Sequence, residues 1–307
     1  VFLSGLAAWH LACAANAWVQ PQIAATAITR ARSTFAVLGN QGWLAACDWQ
    51  LNALPWTRPD FVAAATALDR ATSDLEAAGF DQFVPDCRLS LAYANLLIGR
   101  FDLASELTSE SKKAYQARDE RLGQARCLLT QSSILRRQSE FAAAKACLEE
   151  ALPLMTNAPL YTAQAYFQLA HVTLASQDHA STAENWFLRA LELFESGELR
   201  LWSAQCHGAL AQLYNQMGRL KEAGAALQLA REIYADYDID GLQADILLDS
   251  GRFELLKGNY GASLNYFGEA ETLYGRIGNE WMPIVCLLNQ GQVFFHLGFY
   301  QRRLHFL

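Results

Sequence analysis

Seven cysteines are the first residues in this chain that could suggest a reactive or metal-binding site. Five of them recur at separations of 40, 40, 79 and 80 residues: Cys47, Cys87, Cys127, Cys206 and Cys286. Helices that pack side by side lie about 10 Å apart, whereas a disulfide needs Cα atoms within about 7 Å. No C-x-x-C pair occurs, which disfavours structural zinc. We therefore interpret the five as small apolar residues at tight helix contacts, a usage that also indicates a reducing, cytoplasmic compartment.

The remaining candidates for catalysis are equally weak. Cys206 and His207 are adjacent, but neighbouring side chains on a helix point about 100° apart and cannot pair as nucleophile and base. The sequence holds no H-E-x-x-H, G-x-S-x-G, Walker-type or G-x-G-x-x-G motif. We predict that this chain is not an enzyme and that it binds no metal and no cofactor.

Composition and charge limit the classes of protein to which this chain can belong. Hydrophobic residues make up 52% of the chain and charged residues 18%, enough for a large core. The net charge of -7 disfavours nucleic acid, because phosphate binding needs a concentrated basic surface and clusters such as Arg136-Arg137 are small. Binding of nucleic acid by the repeats is kept as a third hypothesis.

Residues 1–29 contain no Lys, Arg, Asp or Glu, so a membrane or signal segment must be weighed. His10, Asn16 and Gln20, together with the lack of a basic start, favour a buried terminal helix pair instead. We expect no membrane partner, with a membrane-proximal role as the alternative. The chain begins without methionine and its last repeat is short, so we expect it to be a piece of a longer protein.

A repeated turn between two helices organises the chain. In its clearest copy an apolar helix ends at Gly218, Leu220 follows, and Ala223 opens the next helix. The position of Leu220 recurs about every 40 residues, at Phe61, Phe101, Phe141, Tyr260 and Tyr300. Apolar residues fall at three- and four-residue spacing and no stretch alternates, which predicts an all-α chain of about fifteen helices.

The period predicts that each helix pair stacks on the next, because one pair cannot bury its apolar face alone. Small residues should lie where helices approach most closely. One position of the repeat holds Ala64, Ala104, Ala144, Ala183 and Ala223. The position seven residues further along the repeat holds Ala71, Ala151, Ala190, Ala230 and Ala270. We predict one solenoid over 1–307: a divergent helix pair at 1–40, six repeats at 41–279 and a truncated repeat at 280–307. The fourth repeat should contain a helix over 141–155, and the turn 176–179, with His179, should hold one extra residue.

The pattern resembles the tetratricopeptide repeat. It is carried in the sixth unit by Leu210, Ala211, Tyr214, Gly218, Leu220, Ala223, Leu227 and Ala230. The usual period is about 34 residues, and the longer period here is similar to repeats of bacterial regulatory proteins. Those include proteins with a caspase-like CHAT protease domain and signal-transduction ATPases of the STAND class. The resemblance implies a right-handed superhelical α-solenoid of about 7.5 repeats that binds a protein or peptide on its concave face.

Groove residues follow from their place in the first helix of each repeat, by analogy with this family. They are Trp49, Trp56, Tyr93, Arg136, His171, Gln212, Asn215 and Arg252. Trp49 and Trp56 are either exposed binding anchors or buried packing residues. The Lys, Asn and Arg set with which chaperone-binding members grip a C-terminal carboxylate is not found in register. The function predicted is a protein-binding or peptide-binding scaffold or sensor. The alternative is the regulatory array of a larger enzyme, with a fused or associated CHAT protease or STAND ATPase domain outside this chain.

Overall fold

The computed structural model describes residues 1–17, 20–53, 60–176, 180–237, 239–279 and 281–298. Within these ranges the chain forms fifteen α-helices and no strand, which confirms the all-α prediction. The chain divides into two compact units, unit 1 (Val1–Leu199) and unit 2 (Arg200–Leu307). The prediction of one continuous solenoid stays a prediction.

The helices of unit 1 are α1 (Phe2–Ala17), α2 (Pro21–Val37), α3 (Gln41–Asn52), α4 (Phe61–Ala77), α5 (Val84–Ile98), α6 (Phe101–Ala117), α7 (Arg121–Arg137), α8 (Phe141–Ala151), α9 (Pro159–Ala175) and α10 (Ala180–Ser196). The helices of unit 2 are α11 (Arg200–Gln216), α12 (Leu220–Tyr234), α13 (Asp240–Leu256), α14 (Tyr260–Arg276) and α15 (Met282–His296). Each odd-numbered helix, called a first helix below, packs against the even-numbered helix after it where one is described. First helices also pack on one another: α5 on α7 and α7 on α9 in unit 1, and α11 on α13 and α13 on α15 in unit 2.

The small second-helix residues lie where the repeat predicted them. All ten of these alanines are at most 5% exposed. A larger side chain at such a position would separate the packed helices, at a cost of about 1–3 kcal/mol. The alanine pattern is therefore a packing feature.

The repeated turn has one backbone geometry whether or not glycine occupies it. Gly218 has φ +72°, and the amides of Gly218 and Arg219 donate to the carbonyls of Asn215 and Tyr214. These two bonds make a Schellman motif, which satisfies carbonyls at the helix end. Ser139 adopts the same left-handed conformation with φ +66° and forms the equivalent bonds. The end of the helix is therefore set by the conformation of the turn. Glycine is the residue that adopts the positive φ of this turn with the least strain.

One helix boundary differs from the sequence prediction. The helix predicted over 141–155 ends at Ala151 and continues as a 3-10 turn over Leu152–Leu154. Pro153 has no backbone N–H and its ring clashes with the preceding turn, so it ends the regular helix.

The first helix pair is buried against the rest of unit 1, as the sequence favoured. Trp9, Ile28 and Phe35 belong to the same apolar cluster as residues of α3, α4 and α5. Among the described residues, no helix has both the length and the hydropathy that crossing a membrane requires. The extra residue predicted in the turn at His179, and the repeat position at Tyr300, lie outside the described residues.

Candidate functional site

Three of the groove residues predicted from the sequence lie on successive first helices of unit 1. Tyr93 is on α5, Arg136 on α7 and His171 on α9. Tyr93 exposes 43% of its surface, and Arg136 and His171 are half-buried. Arg136 is close enough to influence the titration of both of the others. We call Tyr93, Arg136 and His171 the unit 1 face.

His171 is an uncharged imidazole at neutral pH. Burial, together with the smaller effect of the positive charge of Arg136, lowers the pKa of His171 to about 4. Its ring meets Phe167 and Phe187 edge-on, with centroids 4.6 and 5.1 Å away. This aromatic surround favours the neutral ring, which can donate from one nitrogen and accept at the other.

Arg136 has no carboxylate partner among the described residues. Burial lowers its pKa, and neighbouring Arg137 lowers it further. Arg126, ten residues earlier on the same helix, pairs instead with the carboxylate of Asp86 on α5. The charge of Arg126 is therefore neutralised by a neighbouring carboxylate, whereas no described carboxylate neutralises the charge of Arg136.

The first helices of unit 2 carry a hydrogen-bonded network, here called the unit 2 face: Gln212, Asp249, Arg252 and Asn289. The side-chain amide of Gln212 donates to Asp249 at 2.7 Å, and Arg252 donates to Asp249 at 3.4 Å and to Asn289 at 3.3 Å. Asp249 is 7% exposed, and burial raises its pKa to about 6 against the opposing effects of Gln212 and Arg252. The network joins α11, α13 and α15 and fixes the positions of its side chains.

Of the predicted residues in unit 2, Gln212 and Arg252 lie in this network. Asn215, one helical turn after Gln212, is half-buried, and its side-chain oxygen has no hydrogen-bond partner among the described residues. Sequence reasoning missed Asp249 and Asn289. Their signal was available, since they lie 40 residues apart at the repeat position that Ala209 fills with a methyl group.

The structure corrects the predicted groove position of Trp49. Trp49 is only 7% exposed, packs near Phe83 with ring centroids 6.0 Å apart, and donates from its indole nitrogen to the hydroxyl of Ser90 at 3.0 Å. It is therefore a buried packing residue and not an exposed anchor, because the next first helix covers its ring. Trp56 lies outside the described residues.

The cysteines do not form a site. The five in phase are all at most 1% exposed. Burial raises the pKa of Cys47, Cys87 and Cys127 to about 12, so these thiols are not nucleophiles at neutral pH. No group of three or more His, Cys, Asp or Glu side chains in the described part of the chain is arranged to hold a metal ion.

Comparisons with known proteins agree with this architecture. A tetratricopeptide-repeat family model matches residues 204–237, which include the clearest copy of the turn. A search of curated proteins gave no match.

Three solved structures show the fold. A Rap protein complexed with Competence and Sporulation Factor has 14% identity and a TM-score of 0.63, over 90% of this chain and 81% of that chain. The Rap conjugation gene regulator of plasmid pLS20, in complex with a Phr peptide, has 15% identity and a TM-score of 0.60, over 86% and 77%. A STAND protein with a tetratricopeptide repeat sensor from Pyrococcus horikoshii has 13% identity and a TM-score of 0.66, over 88% of this chain and 40% of that one.

These likenesses identify the class as α-helical repeat proteins. Residues 204–237 match the tetratricopeptide repeat, and the fold of the chain is similar to that of the STAND protein with a tetratricopeptide repeat sensor.

Proposed function

We propose that this protein is a binding module without catalytic activity of its own, and that it holds a peptide or a peptide segment of a protein on the faces made by its first helices. The observation that carries the proposal is the placement of polar and aromatic side chains on successive first helices, Tyr93, Arg136 and His171 in unit 1. The second helices meanwhile contribute small packing residues. Two of the similar structures were solved with a peptide or factor bound, which supports this class of ligand.

Rigid display is the proposed mechanism. Packed helices hold the side chains in place before the ligand arrives, so little side-chain entropy is lost on binding. In unit 2 the bonds from Gln212 and Arg252 to Asp249 provide this order. A cytoplasmic location is part of the proposal, supported by the use of buried cysteines as packing residues.

A peptide array tests the function. The purified chain is applied to an array of random decapeptides, and the strongest binders are measured by fluorescence anisotropy. We expect the double variant Tyr93→Ala, Arg136→Ala to bind unit 1 ligands at least about tenfold more weakly, because hydrogen bonds to charged groups contribute about 1.5–3 kcal/mol. Arg70→Ala is the matched control, since Arg70 is exposed on second helix α4. Failure to bind any peptide would contradict the proposal, and so would an equal loss in both variants.

A second candidate function is the sensor array of a larger enzyme. The likeness to the repeat sensor of the STAND protein favours it, and this chain matches 40% of that protein. Reading the coding sequence on both sides of residues 1–307 tests it. An adjoining P-loop ATPase domain would support the STAND form, and a caspase-like domain with His and Cys would support the CHAT form.

A further inference from the structure

Arg136 stands apart from the other partly buried arginines of the described chain. Arg88, Arg126, Arg219 and Arg252 each lie within 4 Å of a carboxylate, respectively Glu76, Asp86, Glu222 and Asp249. Arg136 is also half-buried but has no such partner among the described residues. A partly buried cation without a counter-charge loses hydration and gains nothing in return. A ligand that supplies the missing anion would recover that energy.

Among the described residues, no carboxylate influences Arg136 either. The described groups that influence it are Arg137 on its own helix and Tyr93 on α5, and it in turn influences His171 on α9. The guanidinium and the Tyr93 hydroxyl can both donate hydrogen bonds, and the neutral His171 can donate one more. Charged hydrogen bonds of this kind are about twice as strong as neutral ones.

We infer that the unit 1 face binds the carboxylate of an Asp or Glu side chain in the peptide ligand, with Arg136 as its ion-pair partner and the Tyr93 hydroxyl as a second donor. This inference rests on the proposed peptide-binding function and names the chemistry that the ligand must present. A nucleic-acid phosphate is disfavoured because the chain carries a net charge of -7 and Arg136 is not part of a repeated basic ladder.

The chain supplies a matched control on the same helix. Arg137 is adjacent to Arg136 in sequence but exposed, so its replacement removes one positive charge near Tyr93 and leaves the half-buried guanidinium of Arg136 in place. Arg136→Gln and Arg137→Gln therefore separate a specific ion pair from a general effect of net charge.

The test uses decapeptides with amidated C-termini, so that only side chains can supply a carboxylate. We expect the wild-type chain to select peptides with Asp or Glu at a fixed position, and replacement of that residue by Asn or Gln to weaken binding roughly 10- to 100-fold. Arg136→Gln should weaken binding of the acidic peptide to a similar extent and leave the amide peptide unchanged. Arg137→Gln should change either affinity by less than about threefold.

Each alternative outcome has a distinct meaning. Peptides bound without acidic selection, or acidic selection that survives Arg136→Gln, overturn the inference while the proposed function stands. An array with no bound peptides overturns both. Binding that appears only when the C-terminal carboxylate is free overturns the inference that the bound carboxylate comes from a side chain. If a single-stranded oligonucleotide binds more tightly than any acidic peptide, the inference that the ligand is a peptide is overturned. If an Arg136 variant fails to fold, the comparison of the acidic peptide with its Asn or Gln counterpart still tests the inference, because it uses the wild-type chain.

The pKa of His171 provides a second measurement. It would not change on peptide binding if Arg136 had a purely structural role. An anion beside Arg136 cancels the positive charge that helps to keep the pKa of His171 near 4. An NMR titration of the ring should therefore show a higher His171 pKa with the acidic peptide bound than with its amide counterpart. Identical titrations in the two complexes would overturn the placement of the carboxylate.

Discussion

The unit 1 and unit 2 faces lie on equivalent first helices but differ in how their polar groups are satisfied. In unit 2, Gln212 and Arg252 donate to the buried carboxylate of Asp249. In unit 1, no described side chain makes a hydrogen bond to Tyr93, Arg136 or His171. The polar groups of the unit 2 face are therefore paired with one another, whereas those of the unit 1 face are not paired with any described side chain. The repeat allows both because the polar positions can change without disturbing the alanine contacts behind them.

The two faces should respond to pH in opposite directions, and the largest effect is expected at His171. Its pKa is about 4 in the folded chain against an ordinary value of 6.5, so the unfolded chain binds the proton more tightly. Its stabilising contribution is present above pH 6.5 and is lost as the pH falls through 4, a change of up to about 3 kcal/mol.

We expect His171→Leu to remove this dependence in unit 1. The measurement is hydrogen exchange of α9 amides at several pH values, expressed as wild type minus variant. The amides of unit 2 serve as the internal control, where that difference should be near zero. A flat difference in α9 across this range would show that His171 is not held neutral.

A slightly smaller effect of opposite sign is expected at Asp249. Its pKa is about 6 in the folded chain against an ordinary value of 3.8, so the folded chain binds the proton more tightly. Its stabilising contribution is present below pH 3.8 and is lost as the pH rises through 6, a change of about 2–3 kcal/mol.

Asp249→Asn should abolish this dependence while keeping the side chain's size. Hydrogen exchange of α13 amides from pH 4 to 8 measures it, with α9 as the unaffected region. If wild type gains stability over the variant as the pH rises, the pairing with Arg252 outweighs burial and the comparison between the faces fails.

The smallest effects concern the turn, which the two units build with different residues. Gly218 in unit 2 and Ser139 in unit 1 both have positive φ. Gly218→Ala should destabilise unit 2 by about 1 kcal/mol, because a Cβ is strained in this conformation. Ser139→Gly should stabilise unit 1 by about 0.5–1 kcal/mol for the same reason. Denaturant titrations of the two variants check this, and a loss of stability in Ser139→Gly would mean that the serine side chain has a role of its own.

The parts of the fold that follow a local rule were predictable. The spacing of apolar residues gave fifteen helices, and the 40-residue phase placed the buried cysteines and alanines correctly. The end of α8 was missed although its cause, Pro153, is visible in the sequence. The groove position in the first helix led to Tyr93, Arg136 and His171, whose binding role stays a prediction.

The state of each polar side chain was decided only by tertiary structure. Trp49 is covered through its contacts with Phe83 and Ser90, which come from the following repeat. Asp249 is paired by Gln212, 37 residues away, whereas Arg136 meets no carboxylate at all among the described residues. A periodic pattern fixes which side of a helix is buried, because that depends on spacing within one helix. It does not fix which polar groups meet across helices, because those distances depend on how successive repeats stack.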